Sequence, residues 1–499
     1  MKQFLLRFKH WYTLALVGVI LASVFAHFAY LTYVPHGLYS DEASIGLNAD
    51  LIAHSGIDEH GVHFPIFFEA FGEYKNPLYI YTVAGVFKIF GTSELALRAT
   101  SGLFMMIFLA IMYVLLNDMF KDRWIVLYGL IACSFTPWFF DMSRISFEVV
   151  SQLPVIAAAL LCIYRAFQDS QPKKSTYIFW SGFLLAFSVY SYTTSRILSF
   201  LFFIALFLVY RKKATLRQWL TSVGGFLLAS IPYIYFTATT QGAATSRLKT
   251  ISFLFEPGLS VNDKFHMFVE NFKSYTNRDF FFKIGDTAIR NHTGLAGELF
   301  YTTGILACIA LGVYAYQIWK RKAPHYITFL LLCGIAVVLS ISITTPAHSL
   351  RSVLLGLVLV ILSGYGAAWL FERWGTVAKI GVLVLITLET SLYVTAYFTK
   401  YPALSTGAFA TSGFEDVFYS IEARNPQKIY MVPNNDHQQI QADFDERTKS
   451  ANTPITIAPA IAEIGSCYIL LGPDNRVKNT ENLPVTFSID SENSHGSCY

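Results

Sequence analysis

The chain reads as a polytopic α-helical membrane protein that carries a small α/β domain at its C-terminal end. Three observations predict this. Its 499 residues are 54% hydrophobic and only 14% charged, too apolar for a soluble globule of this size. Apolar runs of roughly 18–24 residues recur, broken by short loops with Pro, Gly, Lys or Arg, as crossing hydrocarbon with closed backbone hydrogen bonds demands. Beyond residue 397 the pattern changes: "GFEDVFYSIEARNPQKIYMVPNN" reads as an amphipathic helix followed by a strand, and "SCYILLGP" as a further strand. The net charge of +4 resides in short loops and gives no reason to expect a nucleic-acid partner.

The first apolar run, 11–34, follows Lys2, Arg7 and Lys9 and ends without a clear small-residue cleavage site. It reads as a signal anchor with a cytoplasmic N-terminus. Further spans are expected at 95–117, 124–140, 146–167, 176–193, 197–210, 216–237, 299–318, 325–343, 350–371 and 377–397. The run 77–91 contains Lys88 and is short for a crossing, so it reads as an outer-face interfacial helix. With that choice Lys121/Arg123, Arg165/Lys173/Lys174, Arg211/Lys212/Lys213/Arg217, Lys320/Arg321/Lys322 and Arg373 fall on the side of the N-terminus. Counting 77–91 as a span would strand them outside. The expected architecture is therefore about eleven transmembrane helices in a module 1–397, with outer loops 35–94 and 238–298, and a soluble extracytoplasmic domain 398–499. Cys467 and Cys498 are the only cysteines outside the expected helices; on an oxidising side they can pair or stay free.

Polar residues on that outer face exceed what exit loops need. Asp41 and Glu42 follow the first span, at the start of a segment able to form a short helix; capping is the simpler reading of Asp41. Lys75 and Arg98 bracket the interfacial segment and can either snorkel or clamp a phosphate at headgroup depth. Asp141, Arg144 and Glu148 have spacings that let them share a helical face, an internal ion pair being the plain alternative. Tyr190, Tyr192 and Arg196 occupy the next outer turn, Asp286, Arg290 and His292 the large loop, and His348 and Arg351 the turn after it. Their convergence on one membrane face is the stronger signal, because lipid penalises stray charge. His60, His63 and Glu69, with His54 and Asp58 nearby, have donor types that suit a divalent cation, at spacings that fit no firm template. No Walker loop, dinucleotide fingerprint, nucleophile elbow or HExxH pattern occurs.

In order, these motifs resemble those of the class C glycosyltransferases of the protein O-mannosyltransferase and aminoarabinose–lipid A transferase type. The resemblance is carried by Asp41–Glu42 after the first span, Lys75–Asn76–Pro77, the run Phe90 to Arg98, Gly285–Asp286 with Arg290, Gly297 and Leu299–Phe300–Tyr301, and His348/Arg351. It covers most of 10–397 and barely reaches the tail. Two departures stand out: Asn76 separates Lys75 from Pro77, and loop 238–298 is too short for the inserted domains of the protein mannosyltransferases. The first bears on the role of Lys75; the second favours a bacterial relative, in the cytoplasmic (inner) membrane, with another acceptor.

The resemblance implies an inverting transfer of a monosaccharide from a polyprenyl-phosphate carrier to a hydroxyl of an envelope glycan, lipid or protein at the extracytoplasmic face, with no required cofactor. It implies Asp41 as general base with Glu42 as its partner. Lys75 and Arg98, then Arg351 and Arg290, would hold the leaving phosphate, with His348, Tyr190, Tyr192 and Arg196 lining the donor site. Asp141, Arg144, Glu148 and Asp286 are further polar candidates. Two other classes fit the same inventory: another lipid-phosphate-dependent oligosaccharide ligase or polymerase, and a transporter, against which the one-sided charge and absent inverted repeat stand.

Overall fold

The computed structural model describes residues 2–168, 171–243, 245–344, 346–405, 408–409, 414–433, 436–448, 455–457, 466–471, 485–491 and 494–498. Most of each expected apolar stretch is helical. Among the described residues six helices have the length and hydropathy to cross a bilayer, and a seventh does if Arg123–Phe135 and Pro137–Arg144, bent by 54°, form one broken span. Ser195–Tyr210 and His325–Ile341 are apolar but shorter. Ser349–Thr399 is two helices merged at Gly375, whose φ of 59° and ψ of −139° break the helix. The break lies between the expected spans 350–371 and 377–397, and the expectation of about eleven spans further counted helices shorter than 18 residues as crossings.

Helix ends follow local chemistry. Ser93 starts Glu94–Phe120 by accepting the Ala96 N–H at 3.2 Å, and Asp122 starts Arg123–Phe135 by accepting that of Trp124 at 2.9 Å. Within the bundle, small residues let backbones meet: a Cβ at Gly366 would collide with the Leu306 carbonyl. Outward faces stay apolar, as Leu14, Leu21 and Phe25 on the first helix and Leu385, Leu388 and Leu392 on the last show by their exposure. In lipid such exposure costs nothing.

Several of the segments between helices meet at one end of the bundle. The first helix, Lys2–Phe28, leads through tight turns to helix Ser40–Ser55. A two-stranded antiparallel hairpin follows, Phe68–Ala70 with Glu73–Lys75, pairing Phe68 with Lys75, then helix Pro77–Phe90. Ties across this end include Asn76 N–H to Glu148 at 2.9 Å, Asn76 Nδ2 to the Val189 carbonyl at 2.8 Å and Ser349 N–H to Asp286 at 2.9 Å.

The tail forms a five-stranded sheet in the order 455–457, 428–432, 466–471, 494–498, 487–491. The first three strands run parallel and the last two pairings are antiparallel. Helix Phe414–Glu422 packs Val417, Phe418 and Ile421 on it, and a Cys467–Cys498 disulfide joins two neighbouring strands. The membrane core continues past 397, for Tyr401 and Phe409 still pack into it.

Candidate active site

Asp41 lies in the first turn of Ser40–Ser55, but it does not cap that helix. Glu42 does, its Oε2 accepting the Tyr39 N–H at 3.0 Å. The Asp41 carboxylate is thereby left to Lys75, whose Nζ donates to Oδ1 at 2.7 Å. Lys75 ends the hairpin and is only 6% exposed, whereas Asp41 is 38% exposed. Burial alone would raise the Asp41 pKa, but Lys75, with Arg247 and Arg290, outweighs it and holds the carboxyl below its ordinary range. Burial likewise opposes the Lys75 charge, and Asp41 and Glu148 overcome it, keeping the ammonium above its usual range.

Both groups face a cavity of about 180 Å³, which also draws in Glu73, Glu148, Tyr192, Arg196, Arg247, Arg290, His348 and Arg351. Cations outnumber carboxylates there, so the cavity suits an anion. Arg290 is aimed by Tyr39: Nη1 donates to its hydroxyl at 2.5 Å, and the guanidinium lies 4.4 Å from its ring centroid. Arg247 pairs with Glu73 at 2.5 Å, and Arg196 donates to the carbonyls of Tyr74 and Ala243 at 3.1 and 3.2 Å. Behind the wall Asp286 accepts the Ser349 N–H and the Asn291 side-chain amide, and stands 3.6 Å from His348 Nδ1. Burial, with Arg351 beside it, lowers the His348 pKa and so favours the neutral imidazole. Glu298 lies deeper; burial pushes its carboxyl well above the usual range, and it accepts from the Asp286 N–H and the Ser349 hydroxyl.

Several expected site residues are elsewhere. Arg98 and Glu42 are both 0% exposed and form a bidentate pair, Nε to Oε1 and Nη2 to Oε2 at 3.0 Å each. Arg98 spends its other N–H groups on the carbonyls of Leu31, Pro35 and Gly37, and Glu42 accepts the Ser146 N–H. With its donors engaged and neither side chain lining the cavity, Arg98 clamps the first-span exit and Glu42 is held in that clamp. Arg144 does similar work one layer down, donating to the carbonyls of Ala26, Ala29 and Val34. Asp141 accepts from Tyr393 and Thr293.

A shared face for Asp141, Arg144 and Glu148 does not form, because the chain breaks into two 3₁₀ turns there, and only Glu148 reaches the cavity. Tyr190 is also structural: its hydroxyl bridges the Ala229 carbonyl and the Tyr233 N–H. His60, His63 and Glu69 are exposed, and among the described residues no three His, Cys, Asp or Glu side chains gather as metal ligands.

Arg247, Glu73, Thr193, Thr194 and Asn291 were missed. The criterion that singled out Arg290, a cation in an outer loop, applies to Arg247 too, but equally to Lys264, which turns away to the Leu254 carbonyl. Spacing alone does not separate the two.

Residues 74–236 match a family model described as dolichyl-phosphate-mannose-protein mannosyltransferase. A search of curated protein sequences finds no match. Among solved structures the chain is similar to ArnT from Cupriavidus metallidurans bound to undecaprenyl phosphate, at 12% identity and TM-score 0.58 over 97% of each chain. The apo state of the same protein gives 12% identity and TM-score 0.58 over 98% of each. At such identity the likeness establishes the fold, a polytopic helical one of the class C glycosyltransferase type, and the family match carries the same resemblance over the segment from the hairpin to helix Leu216–Thr239.

Proposed function

We propose that this chain, with the fold of the class C glycosyltransferases, is an inverting glycosyltransferase that moves one sugar from a polyprenyl-phosphate carrier to a hydroxyl acceptor at the extracytoplasmic membrane face. The observation that carries the proposal is one cavity holding Asp41, Lys75, Arg247, Arg290 and Arg351 together, on a fold shared with a protein bound to undecaprenyl phosphate. The acceptor oxygen attacks the anomeric carbon from the face opposite the phosphate, and its proton passes to Asp41. The bond between that carbon and the phosphate oxygen breaks, and the electron pair leaves on the polyprenyl phosphate. Fixed cations stabilise the charge that grows there, more strongly in the transition state than before it.

The Asp41–Lys75 pair fits this as a resting arrangement. An incoming phosphate competes for the Lys75 ammonium and brings negative charge beside Asp41, which raises the affinity of that carboxylate for a proton. The Cys467–Cys498 disulfide supports an oxidising side for the tail. Basic clusters such as Lys212/Lys213 and Lys320/Arg321 end helices whose other ends lie at the cavity end, which supports an extracytoplasmic site.

The test is mass analysis of products after purified protein meets a panel of undecaprenyl-phosphate-linked sugars and bacterial envelope fractions. Transfer of one sugar to one fraction is expected; release of polymerised glycan points to a ligase or polymerase, and no product with any donor overturns the reading. Two variants sharpen it. Arg247→Met is expected to weaken undecaprenyl-phosphate binding by about 5- to 100-fold, the loss of one charge-assisted contact, read by titration in nanodiscs; unchanged affinity removes Arg247 from the phosphate site.

Lys75→Met tests the pair through pH. Asp41 must be ionised to accept a proton, so activity falls as pH drops through its pKa. With Lys75 present that pKa is depressed; without it burial dominates and the pKa rises. The acid limb of kcat/KM, which reports the free enzyme, is therefore expected at higher pH in the variant. A limb that stays in place means that Asp41 is not the group titrating.

A further inference from the structure

The structure assigns the tail helix Asp436–Thr448 a positioning role: by gripping both the helix that bears Asp41 and the hairpin that bears Lys75, it holds the acid and the ammonium in register. This rests on the reading of that pair as catalytic machinery. Phe444 is fully buried in the core built around Ser40–Ser55, and a Cβ on Gly46 would enter its ring, so the two helices meet at the closest approach that glycine allows. One turn further along the tail helix, Arg447 Nη1 reaches Asp50 Oδ2 at 2.6 Å. Asp50 is 5% exposed, and its other oxygen accepts the Thr92 hydroxyl and faces His54 Nδ1 at 3.1 Å. A carboxylate so buried needs its cation.

The start of the same tail helix holds the hairpin. His437 stacks on Phe71 with ring centroids 4.2 Å apart and planes at 15°. Phe71 has a φ of 54°, a left-handed conformation that costs a bulky residue energy and persists only where its surroundings hold it. The Phe71 ring in turn lies 5.1 Å from Lys75 Nζ, which completes the path from His437 through Phe71 and Lys75 to Asp41. None of His437, Phe444 and Arg447 lines the cavity, so their effect on the reaction is indirect. Docking of the tail for its own sake needs only one of these grips. That one helix takes hold of both segments that meet at Asp41 and Lys75 is what singles out positioning.

The experiment compares full-length wild type, Arg447→Met, Arg447→Lys and Phe444→Ala in nanodiscs by three measurements. Hydrogen exchange of residues 40–55 and 68–75 is read without substrate. Binding of undecaprenyl phosphate and turnover of whichever panel sugar the wild type transfers are read separately. For Arg447→Met and Phe444→Ala, exchange is expected to rise in both segments and kcat to fall about 10- to 100-fold, while undecaprenyl-phosphate affinity stays within about twofold. Arg447→Lys is expected to restore most of kcat. Unchanged kcat in Arg447→Met, or faster exchange confined to the tail, overturns the proposal in favour of simple docking, and Arg447→Met decides the matter if Phe444→Ala does not fold. If wild type transfers no sugar, the glycosyltransferase reading has failed. The exchange data still judge the grip, which unchanged exchange in both segments refutes.

Discussion

Asp41→Asn is expected to lower kcat by about 10²- to 10⁴-fold, the range for losing a general base, while undecaprenyl phosphate still binds. The substitution keeps the shape and a hydrogen-bond acceptor for Lys75 Nζ, now 2.7 Å from Oδ1, but removes the basic oxygen that must take the acceptor proton. Lys75 loses its nearest counter-charge, yet Glu148 lines the same cavity and still attracts it, so the fold is expected to survive. Removing the carboxylate also removes a negative charge that competes with the phosphate, so donor affinity is expected to hold or improve. Single-turnover measurement with the identified donor separates the chemical step from binding. Turnover near wild type would remove Asp41 as the base and turn attention to the two further cavity carboxylates, Glu73, paired with Arg247, and Glu148, which accepts the Asn76 N–H.

Arg98→Met is expected to damage folding rather than donor binding. Arg98 and Glu42 are fully buried, and breaking such a pair from one side leaves a charge without its partner, at a cost of about 3–5 kcal/mol. Against a total stability of about 5–15 kcal/mol, that is a large fraction. The three carbonyls of Leu31, Pro35 and Gly37 lose their donor as well, and with it the fixed geometry of the link between the first helix and Ser40–Ser55. Low yield of folded protein and a depressed melting temperature are the expected readouts, with near-normal undecaprenyl-phosphate affinity in whatever folds. Replacing both partners by Leu should recover only part of the loss, because the Ser146 and Tyr39 N–H groups then lack the Glu42 oxygens they donate to. The opposite pattern, normal stability with weakened lipid binding, would restore Arg98 to the phosphate site.

These two residues also mark how far the primary structure could be read. Both stood out for one reason, a charge beside an apolar run, and that criterion is local: residue type and neighbours suffice to say that lipid will not tolerate the group unpartnered. The same local logic identified the membrane class and the helix-then-strand order of the tail, since hydropathy and alternation act over a few residues. It also separated the spans 350–371 and 377–397 where the helix breaks at Gly375, and it fell short where apolar helices are too short to span alone.

What the sequence by itself determined is that charged groups would gather at one end of a membrane-embedded bundle, because burying each of them in hydrocarbon is costly wherever the chain goes. Only the tertiary structure decided which of them face the cavity. Glu42 lies 56 positions from Arg98 and closes it off, while Lys75, from a hairpin 34 positions beyond Asp41, keeps its ammonium on the open side. Arg247 joins them from the short helix Ser246–Ile251, whose sequence has no distinguishing pattern. A charge is tied up or left available according to the partner that long-range packing brings within about 3 Å, and that distance is not a property of any stretch of sequence.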